Sequence, residues 1–237
     1  MSVVLLVRHG QASFGKKDYD ALSKRGHEQA RILGRSLGAR GVVPAVVLRG
    51  ELRRHRETAE GIVEGLCESV DAADLPEVHV DAGWDEFDFQ HVVTALKPLY
   101  RSRLLMKADL ALRGGAEEFQ KLFEEATERW VAGDNDDDYH EPFSMFAERV
   151  GQALHRAVKY ADGPDREGPV LVVSSGGPIG VAASELLTND TSLWPQLTRV
   201  AVNTGVTKIV SGRRGTTLTT YNEHAHLEHD RTLLTYR

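Results

Sequence analysis

The stretch SVVLLVRHG at residues 2–10 decides how the chain folds. Residues 3–7 form a continuous apolar run rich in β-branched valine, which is typical of a strand buried on both faces of a parallel sheet. The run ends at Arg8, and His9 follows directly. Because ligands of open α/β sheets bind at the carboxyl ends of the strands, Arg8 and His9 are the first candidate site residues.

Outward from this strand, helix and strand patterns alternate along the chain. Such alternation predicts βαβ units around a mostly parallel sheet, and therefore a three-layer α/β/α sandwich. The predicted elements are a helix from its N-cap Ser23 to Gly41, a strand at 45–48, a helix from Leu52 to Leu66, a strand at 78–80, a buried strand at 169–174 with a helix after it, and a terminal hairpin formed by 200–210 and 216–221.

The middle of the chain is helical in pattern from about 90 to 160, with Pro98 as an expected interruption. Because strands resume after it, we interpret this segment as an insertion into one domain that spans residues 1–237. Basic side chains on the insertion are expected to be solvated, with one of them as a possible lid contact to substrate. They are Lys97, Arg101, Arg103 and Lys107.

Composition limits the class of protein. The chain has 237 residues, 29 basic and 35 acidic, and a formal net charge of −6, which argues against nucleic acid as the main partner. Its one cysteine, Cys67, excludes an intrachain disulfide and favours a reducing compartment. The sequence shows neither an apolar run of membrane-spanning length nor a signal peptide, so a cytoplasmic location is expected, and the oligomeric state is left open.

The tripeptide Arg8-His9-Gly10 suits phosphoryl chemistry. A neutral imidazole nitrogen can attack phosphorus, and an adjacent guanidinium can bind phosphate oxygens. Glycine lets the backbone turn and approach closely. The tripeptide alone is a weak signal, and its position after a buried strand strengthens it.

Several ordered blocks resemble the histidine phosphatase superfamily, whose members are similar to phosphoglycerate mutase. The blocks are VVLLVRHGQASFG at 3–15, LSKRGHEQA at 22–30, LRRHRETA at 52–59, EFDF at 86–89, HEPFSMFAERV at 140–150, VLVVSSGGPI at 170–179 and NEHAHLE at 222–228. They cover nearly the whole chain, and together they are far more specific than any one of them.

The resemblance implies a role for each candidate. His9 would be the nucleophile, Arg8 and Arg54 would bind the phosphate, and Glu86 would donate a proton to the leaving group. Ser175 would be a further catalytic residue that contributes a hydrogen bond, and Ser13 and Gly176 would bind the substrate. The implied activity is hydrolysis of a small phosphomonoester through a phosphohistidine, without metal or other cofactor. Phosphoglycerate mutase activity is less favoured, because QASFG at 11–15 differs from the mutases' sequence after Arg-His-Gly.

Two assignments have competitors nearby. Asp85 and Asp88 could exchange roles with Glu86. Arg54 lies among other basic residues, most of which are interpreted as a solvated helix face. These are Arg49, Arg53, His55 and Arg56.

One departure from the family pattern concerns Ser175, since the family usually places a second histidine there. Serine can donate a hydrogen bond but is shorter and uncharged, and loss of one such donor costs about 10²–10³ in rate. The helix after Gly176 could compensate through its N-terminal amides. The alternative function is therefore a catalytically weakened phosphoester-binding or regulatory protein of the same fold.

Two further segments were weighed as metal sites. The acidic run at 134–138 lacks the glycine and the bidentate glutamate of a calcium loop, and a solvated loop is favoured. His224, His226 and His229 are spaced like metal ligands, yet a tail packed on the domain is the simpler interpretation.

Overall fold

The computed structural model describes residues 1–13, 20–102, 104–106, 108–109, 114–163 and 167–236. Two of the candidate lid residues, Arg103 and Lys107, lie outside this range. The chain divides into two compact units. The first unit combines Met1–Glu86 with Val150–Arg237, and the second is Phe87–Arg149, which overlaps the helical segment expected at 90–160.

The first unit contains a six-stranded sheet in the order β3-β2-β4-β1-β5-β6. The pairs β3–β2, β2–β4 and β4–β1 are parallel, whereas β1–β5 and β5–β6 are antiparallel. This is the mixed, mostly parallel sheet that the sequence predicts. The strands are β1 (Ser2–Arg8), β2 (Val46–Arg49), β3 (Glu77–Val80), β4 (Val170–Ser174), β5 (Val206–Gly212) and β6 (Gly215–Glu223).

Helices cover both faces of this sheet. The helices of the first unit are α1 (Lys24–Ala39), α2 (Arg53–Leu66), the end of α5 (Phe143–Ala161), α6 (Gly176–Thr188) and α7 (Trp194–Val200). Ser23 caps α1 as predicted, because its side chain accepts a hydrogen bond from the amide of Gly26. One correction concerns the terminal hairpin. Residues 201–205 are not strand, because Thr204 adopts a left-handed backbone (φ 61°) in a buried turn, and β5 begins only at Val206.

The core explains why β1 and β4 are apolar throughout. Alternate residues of β1, β2 and β4 pack against α1 and α2 in one cluster, of which Val7, Leu33, Ile62 and Leu171 are members. The intervening strand residues, such as Leu6, are equally buried, so the opposite face is covered as well, and α6 contacts β1. Burial on both faces leaves only the strand ends for polar side chains, and the site lies there.

The second unit is helical and has an aromatic core. It contains α3 (Phe89–Leu96), α4 (Ala116–Ala132) and the beginning of α5, and Pro98 starts a short 3₁₀ helix, Pro98–Arg101. Trp130 packs against Phe87 and Phe143 at ring distances of 4.7 and 5.0 Å. The sequence predicts packing roles for four aromatic residues, of which Phe87, Tyr100 and Trp130 are buried and Phe89 is partly buried.

Two charged groups of this unit are held by neighbours of opposite charge. Lys97 Nζ lies 2.5 Å from Asp109 Oδ2. In the acidic run, Asp138 pairs with Arg129. Within the described part of the chain, every helix is too short or too polar to cross a membrane.

Candidate active site

The candidate site begins where β1 and β4 end side by side. The two strands are parallel with Arg8 opposite Ser174, and the His9 amide donates to the Ser174 carbonyl at 2.8 Å. His9 and Ser175 therefore leave the sheet as neighbours. On the other side of β4, the amide of Gly50 donates to the Val173 carbonyl at 3.3 Å, which brings the end of β2 to the same edge.

Two buried side chains fix the backbone at His9 and Gly10. Asn203 Nδ2 donates to the His9 carbonyl at 2.9 Å, and the Gly10 amide donates to Thr58 Oγ1 at 3.0 Å. Gly10 also has to be glycine, because a Cβ there would lie 2.4 Å from the carbonyl oxygen of Gly26 in α1. The His9 main chain is consequently held from three sides. Neither Asn203 nor Thr58 was among the residues predicted from sequence.

The His9 ring is held in one tautomer. Its Nδ1 lies 2.7 Å from the Gly10 carbonyl oxygen, which can only accept, so Nδ1 carries the proton. Nε2 then keeps its lone pair. Burial, followed by the positive charges of Arg54 and Arg8, lowers the pKa of His9 well below its usual value. The imidazole is thus neutral at physiological pH, as a nucleophile has to be.

The positive charges of two guanidinium groups, those of Arg54 and Arg8, disfavour protonation of the His9 ring. Arg54 in α2 has a side chain that is 12% exposed, and its Nη1 lies 2.7 Å from Asp20 Oδ1. Its Nη2 lies 3.5 Å from Ser175 Oγ. Arg8 Nη1 donates to the carbonyl of Tyr236 at 2.9 Å and to that of Ala201. The structure therefore brings together His9, Arg8, Arg54 and Ser175, as the sequence predicts.

Glu86 and Gly176 lie at the beginning of α6. The Gly177 amide in the first turn of α6 donates to Glu86 Oε2 at 3.2 Å. A Cβ on Gly176 would lie 3.7 Å from Arg8 Nε, which places Gly176 against that guanidinium. The Gly177 amide thus fixes the position of the Glu86 carboxyl group.

The two competing carboxylates have other partners. Asp85 Oδ1 accepts from the Glu51 amide at 2.7 Å, just before α2. Asp88 caps α3 by accepting from the His91 amide at 2.9 Å. Glu86, by contrast, accepts a hydrogen bond from the first turn of α6, and its role as proton donor stays a prediction.

His55 is the residue that the sequence interpretation placed wrongly. The sequence predicts a solvated helix face for this basic cluster, yet the His55 side chain is fully buried, whereas Arg53 and Arg56 are exposed as expected. Its Nε2 lies 2.7 Å from Ser175 Oγ, and its ring centroid is 5.8 Å from that of His9. A signal for this was available, because position 55 begins the buried stripe of α2. That stripe consists of His55, Thr58, Ala59, Ile62 and Leu66.

Ser13 lies at the start of the neighbouring loop. Its hydroxyl donates to the Leu22 carbonyl at 3.0 Å, and its amide donates to the Ala21 carbonyl at 2.8 Å. These bonds join Ser13 to the residues just before α1. A role for Ser13 in substrate binding stays a prediction.

At the C-terminal end, His226 packs onto the domain. Its Nε2 lies 3.1 Å from Thr204 Oγ1, and burial lowers its pKa to about 4. Within the described ranges, no group of three or more histidine, cysteine or acidic side chains is arranged to hold a metal ion.

The lowered histidine pKa values predict how stability depends on pH. Burial is the main cause for His9, His55 and His226. Each is protonated in the unfolded chain below about pH 6.5 but resists protonation when folded. We therefore expect the free energy of unfolding to be constant above pH 7 and to fall as the pH drops from 6.5 to 5, by up to about 1.4 kcal/mol per pH unit for each histidine.

Urea denaturation at pH 8, 6.5 and 5.5 measures this effect. His226→Gln should reduce the slope, and His155→Ala, which changes an exposed histidine of α5, should leave it unaltered. Equal stability at the three pH values would contradict the prediction.

The sequence and the fold were compared with known proteins. The sequence model of the histidine phosphatase superfamily, branch 1, matches residues 4–117 and 111–224. A search of curated protein sequences gave no significant match.

Solved structures show the same fold. A mutant phosphoserine phosphatase from Entamoeba histolytica, in complex with phosphoserine, is 19% identical over 96% of this chain and 100% of its own, with a TM-score of 0.63. A phosphoglycerate mutase from Bacillus anthracis is 19% identical over 96% of this chain and 95% of its own, also with a TM-score of 0.63. A mycobacterial glucosyl-3-phosphoglycerate phosphatase is 20% identical over 95% of this chain and 100% of its own, with a TM-score of 0.60.

These identities are low, so the structural likeness bears on the fold alone. The two matches of the family model together span residues 4–224, which is more than half of the chain. On this basis, the chain belongs to branch 1 of the histidine phosphatase superfamily.

Proposed function

We propose that this protein hydrolyses a small phosphomonoester through a phosphohistidine on His9. The observation that carries the proposal is the state of that ring. Nδ1 is bound to the Gly10 carbonyl, and the charges of Arg54 and Arg8 act on the imidazole and disfavour its protonation. A neutral nitrogen beside two guanidiniums is suited to attack a phosphoryl group whose oxygens those guanidiniums bind.

The first step transfers the phosphoryl group. His9 Nε2 forms a bond to phosphorus in line with the leaving oxygen, and the phosphorus–oxygen bond of the ester breaks. Glu86, protonated at this stage, gives its proton to the leaving alcohol. Arg8 and Arg54 hold the phosphoryl oxygens as negative charge spreads over them, which is the main source of rate in phosphoryl transfer.

The second step releases phosphate. The Glu86 carboxylate accepts a proton from water, the water oxygen bonds to phosphorus, and the phosphorus–nitrogen bond to His9 breaks. Glu86 is protonated again, and His9 regains its lone pair. This cycle uses only side chains of the first unit.

The proposal is tested with a panel of phosphomonoesters, including phosphoserine, 3-phosphoglycerate and p-nitrophenyl phosphate. We expect release of inorganic phosphate and a phosphoenzyme that is labile to acid and stable to base. Conversion of 3-phosphoglycerate to its 2-isomer without phosphate release would instead indicate a mutase.

Glu86→Gln is expected to separate substrates by their leaving groups. Alkyl phosphates leave as basic alkoxides and need the proton, so turnover of phosphoserine should fall about 10²–10⁴-fold. p-Nitrophenolate can leave without being protonated, so the rate at which it forms from p-nitrophenyl phosphate should fall far less. Glutamine can still accept from the Gly177 amide, so the local structure is kept.

Initial-rate measurements on both substrates give the ratio of the two losses. Asp88→Asn is the control, because Asp88 caps α3 and should not change that ratio. Equal losses for the two substrates in Glu86→Gln would remove Glu86 from the proton-donor role.

Ser175 favours one alternative, a phosphoester-binding protein with little turnover, because serine stands where the family usually has histidine. Inorganic phosphate should then raise the melting temperature, while no phosphomonoester is hydrolysed and no phosphoenzyme forms.

A further inference from the structure

The Ser175 side chain is shorter than histidine and carries no charge, yet the imidazole of His55 lies beside it. Ser175 is completely buried, and its hydroxyl lies 2.7 Å from His55 Nε2 and 3.5 Å from Arg54 Nη2. The His55 ring comes from α2 and not from the end of β4. The second imidazole is thus present but reaches the site from another element.

Room for this ring is made by small residues on two other segments. A Cβ on Gly50, at the end of β2, would lie 2.4 Å from His55 Nδ1 and 2.4 Å from Asp85 Oδ1. Real Cβ atoms do not approach other atoms this closely, so any larger residue at 50 would displace the ring or the carboxylate. Gly50, His55 and Ser175 therefore form one set, and a histidine at 175 would compete with His55 for the same space.

We propose that His55 supplies the imidazole which the family pattern places at position 175, and that it acts on the phosphoryl group through the Ser175 hydroxyl. The proposal rests on the function proposed above. Ser175 would touch the phosphoryl oxygens. His55 would be a positioning residue, whose charged form orients the hydroxyl and places a positive charge behind it.

The surroundings of His55 predict a coupling between anion binding and protonation. Burial lowers the pKa of His55, Asp85 raises it, Arg54 lowers it and Asp20 raises it. Asp85 Oδ1 lies 3.7 Å from His55 Nδ1, close enough to favour a positive ring. Burial is nevertheless the largest of these effects and the pKa of His55 is lowered overall, so the ring is neutral near pH 7 when no ligand is bound. A dianion bound at Arg54 and His9 adds two negative charges, and His55 should then take up a proton.

Moving the imidazole tests the proposal by activity. His55→Ala is expected to lower kcat about a hundredfold, by analogy with the loss of one electrostatic donor. Ser175→His should also lower it, since the new ring competes with His55 for space. The double variant His55→Ala, Ser175→His should be at least tenfold more active than either single variant. A merely structural role for His55 would not be rescued by a histidine at position 175, which follows β4.

Proton uptake tests the proposal without any turnover. Sulfate is used as the probe, because it stays a dianion between pH 6 and 8. Calorimetric titration in two buffers of different ionisation enthalpy gives the number of protons taken up per sulfate bound. Because a bound dianion also offsets the charges that lower the pKa of His9, the titrations are made in the His9→Ala background. In that background we expect proton uptake, its loss together with about tenfold weaker binding when His55→Ala is added, and recovery of both when Ser175→His is added as well.

The possible outcomes are distinguishable. If the parent hydrolyses no phosphomonoester but the His9→Ala background shows the sulfate pattern, the function proposed above fails and the role of His55 stands. If the parent is active but His55→Ala keeps the parent's kcat and, in the His9→Ala background, the proton uptake, the proposed role of His55 is wrong. It is also wrong if the kcat of the double variant is no higher than that of the single variants. Thermal unfolding monitors folding throughout, and His55→Gln, which keeps a neutral donor of similar size, replaces His55→Ala if the latter does not fold. It too should lose the proton uptake.

Discussion

His9→Ala is expected to abolish phosphatase activity, with kcat lowered at least about 10⁴-fold for every phosphomonoester. The side chain is the nucleophile of the proposed cycle, and alanine has no atom that can bond to phosphorus. The acid-labile phosphoenzyme should disappear together with the turnover. Steady-state assays and trapping with radiolabelled substrate measure the two losses separately.

The loss should not come from unfolding. The His9 carbonyl and the Gly10 amide are held by Asn203 and Thr58 through main-chain atoms, which alanine retains. His155→Ala, on the exposed side of α5, is the matched control and should keep full activity. Turnover and phosphoenzyme at the parent level in His9→Ala would refute the nucleophile assignment.

Arg54→Ala is expected to lower kcat/KM about 10²–10³-fold, because a charged donor to the phosphoryl oxygens is lost. The neighbouring carboxylate makes the loss more severe. Asp20 Oδ1, now 2.7 Å from Arg54 Nη1, would face the incoming dianion without its countercharge. Arg54→Lys should recover only part of the activity, since an ammonium lacks the planar pair of donors.

A second readout of Arg54→Ala follows from the titration of His9. The charge of Arg54 is the largest electrostatic cause, after burial, of the lowered pKa of His9. Its removal should raise that pKa, so protonation inactivates the nucleophile at a higher pH than in the parent. The acidic limb of the kcat/KM profile should accordingly move to higher pH.

The control for Arg54 is two positions further along the same helix. Arg56 is exposed, and its Nε lies 3.9 Å from Glu60 Oε1. Arg56→Ala removes the same charge from the chain and should leave both the rate and the acidic limb unchanged. An equal loss in the two variants would show that net charge, and not the position of Arg54, matters.

Much of the fold could be predicted because its signals are local. The apolar runs that became β1 and β4 have no polar alternation, and burial on both faces of a parallel sheet requires this. The N-cap Ser23 marked the start of α1 for an equally local reason, since its hydroxyl bonds an amide three residues later. The exception is the segment at 201–205, where an apolar pattern typical of a strand forms a buried turn, held by the contact of Asn203 with His9.

The candidate site was predictable only in part. His9 and Ser175 follow two strands, and parallel strands place their ends together whatever the distant contacts are. Arg54 came from the family resemblance. Asp85 was considered only as an acid, because nothing local links it to the amide of Glu51 or to the ring of His55.

By itself, then, the sequence determined that two buried strands end at candidate site residues. It singled out His9 as the candidate nucleophile, and it showed serine at position 175. Only the tertiary structure decided that His55 fills the space beside Ser175. The physical reason is that the space around a side chain is set by residues of several segments, which are far apart in the sequence and meet only in the folded chain. The helical period places position 55 on the buried stripe of α2, but glycine at 50 and serine at 175 make the room that turns a buried histidine into part of the site.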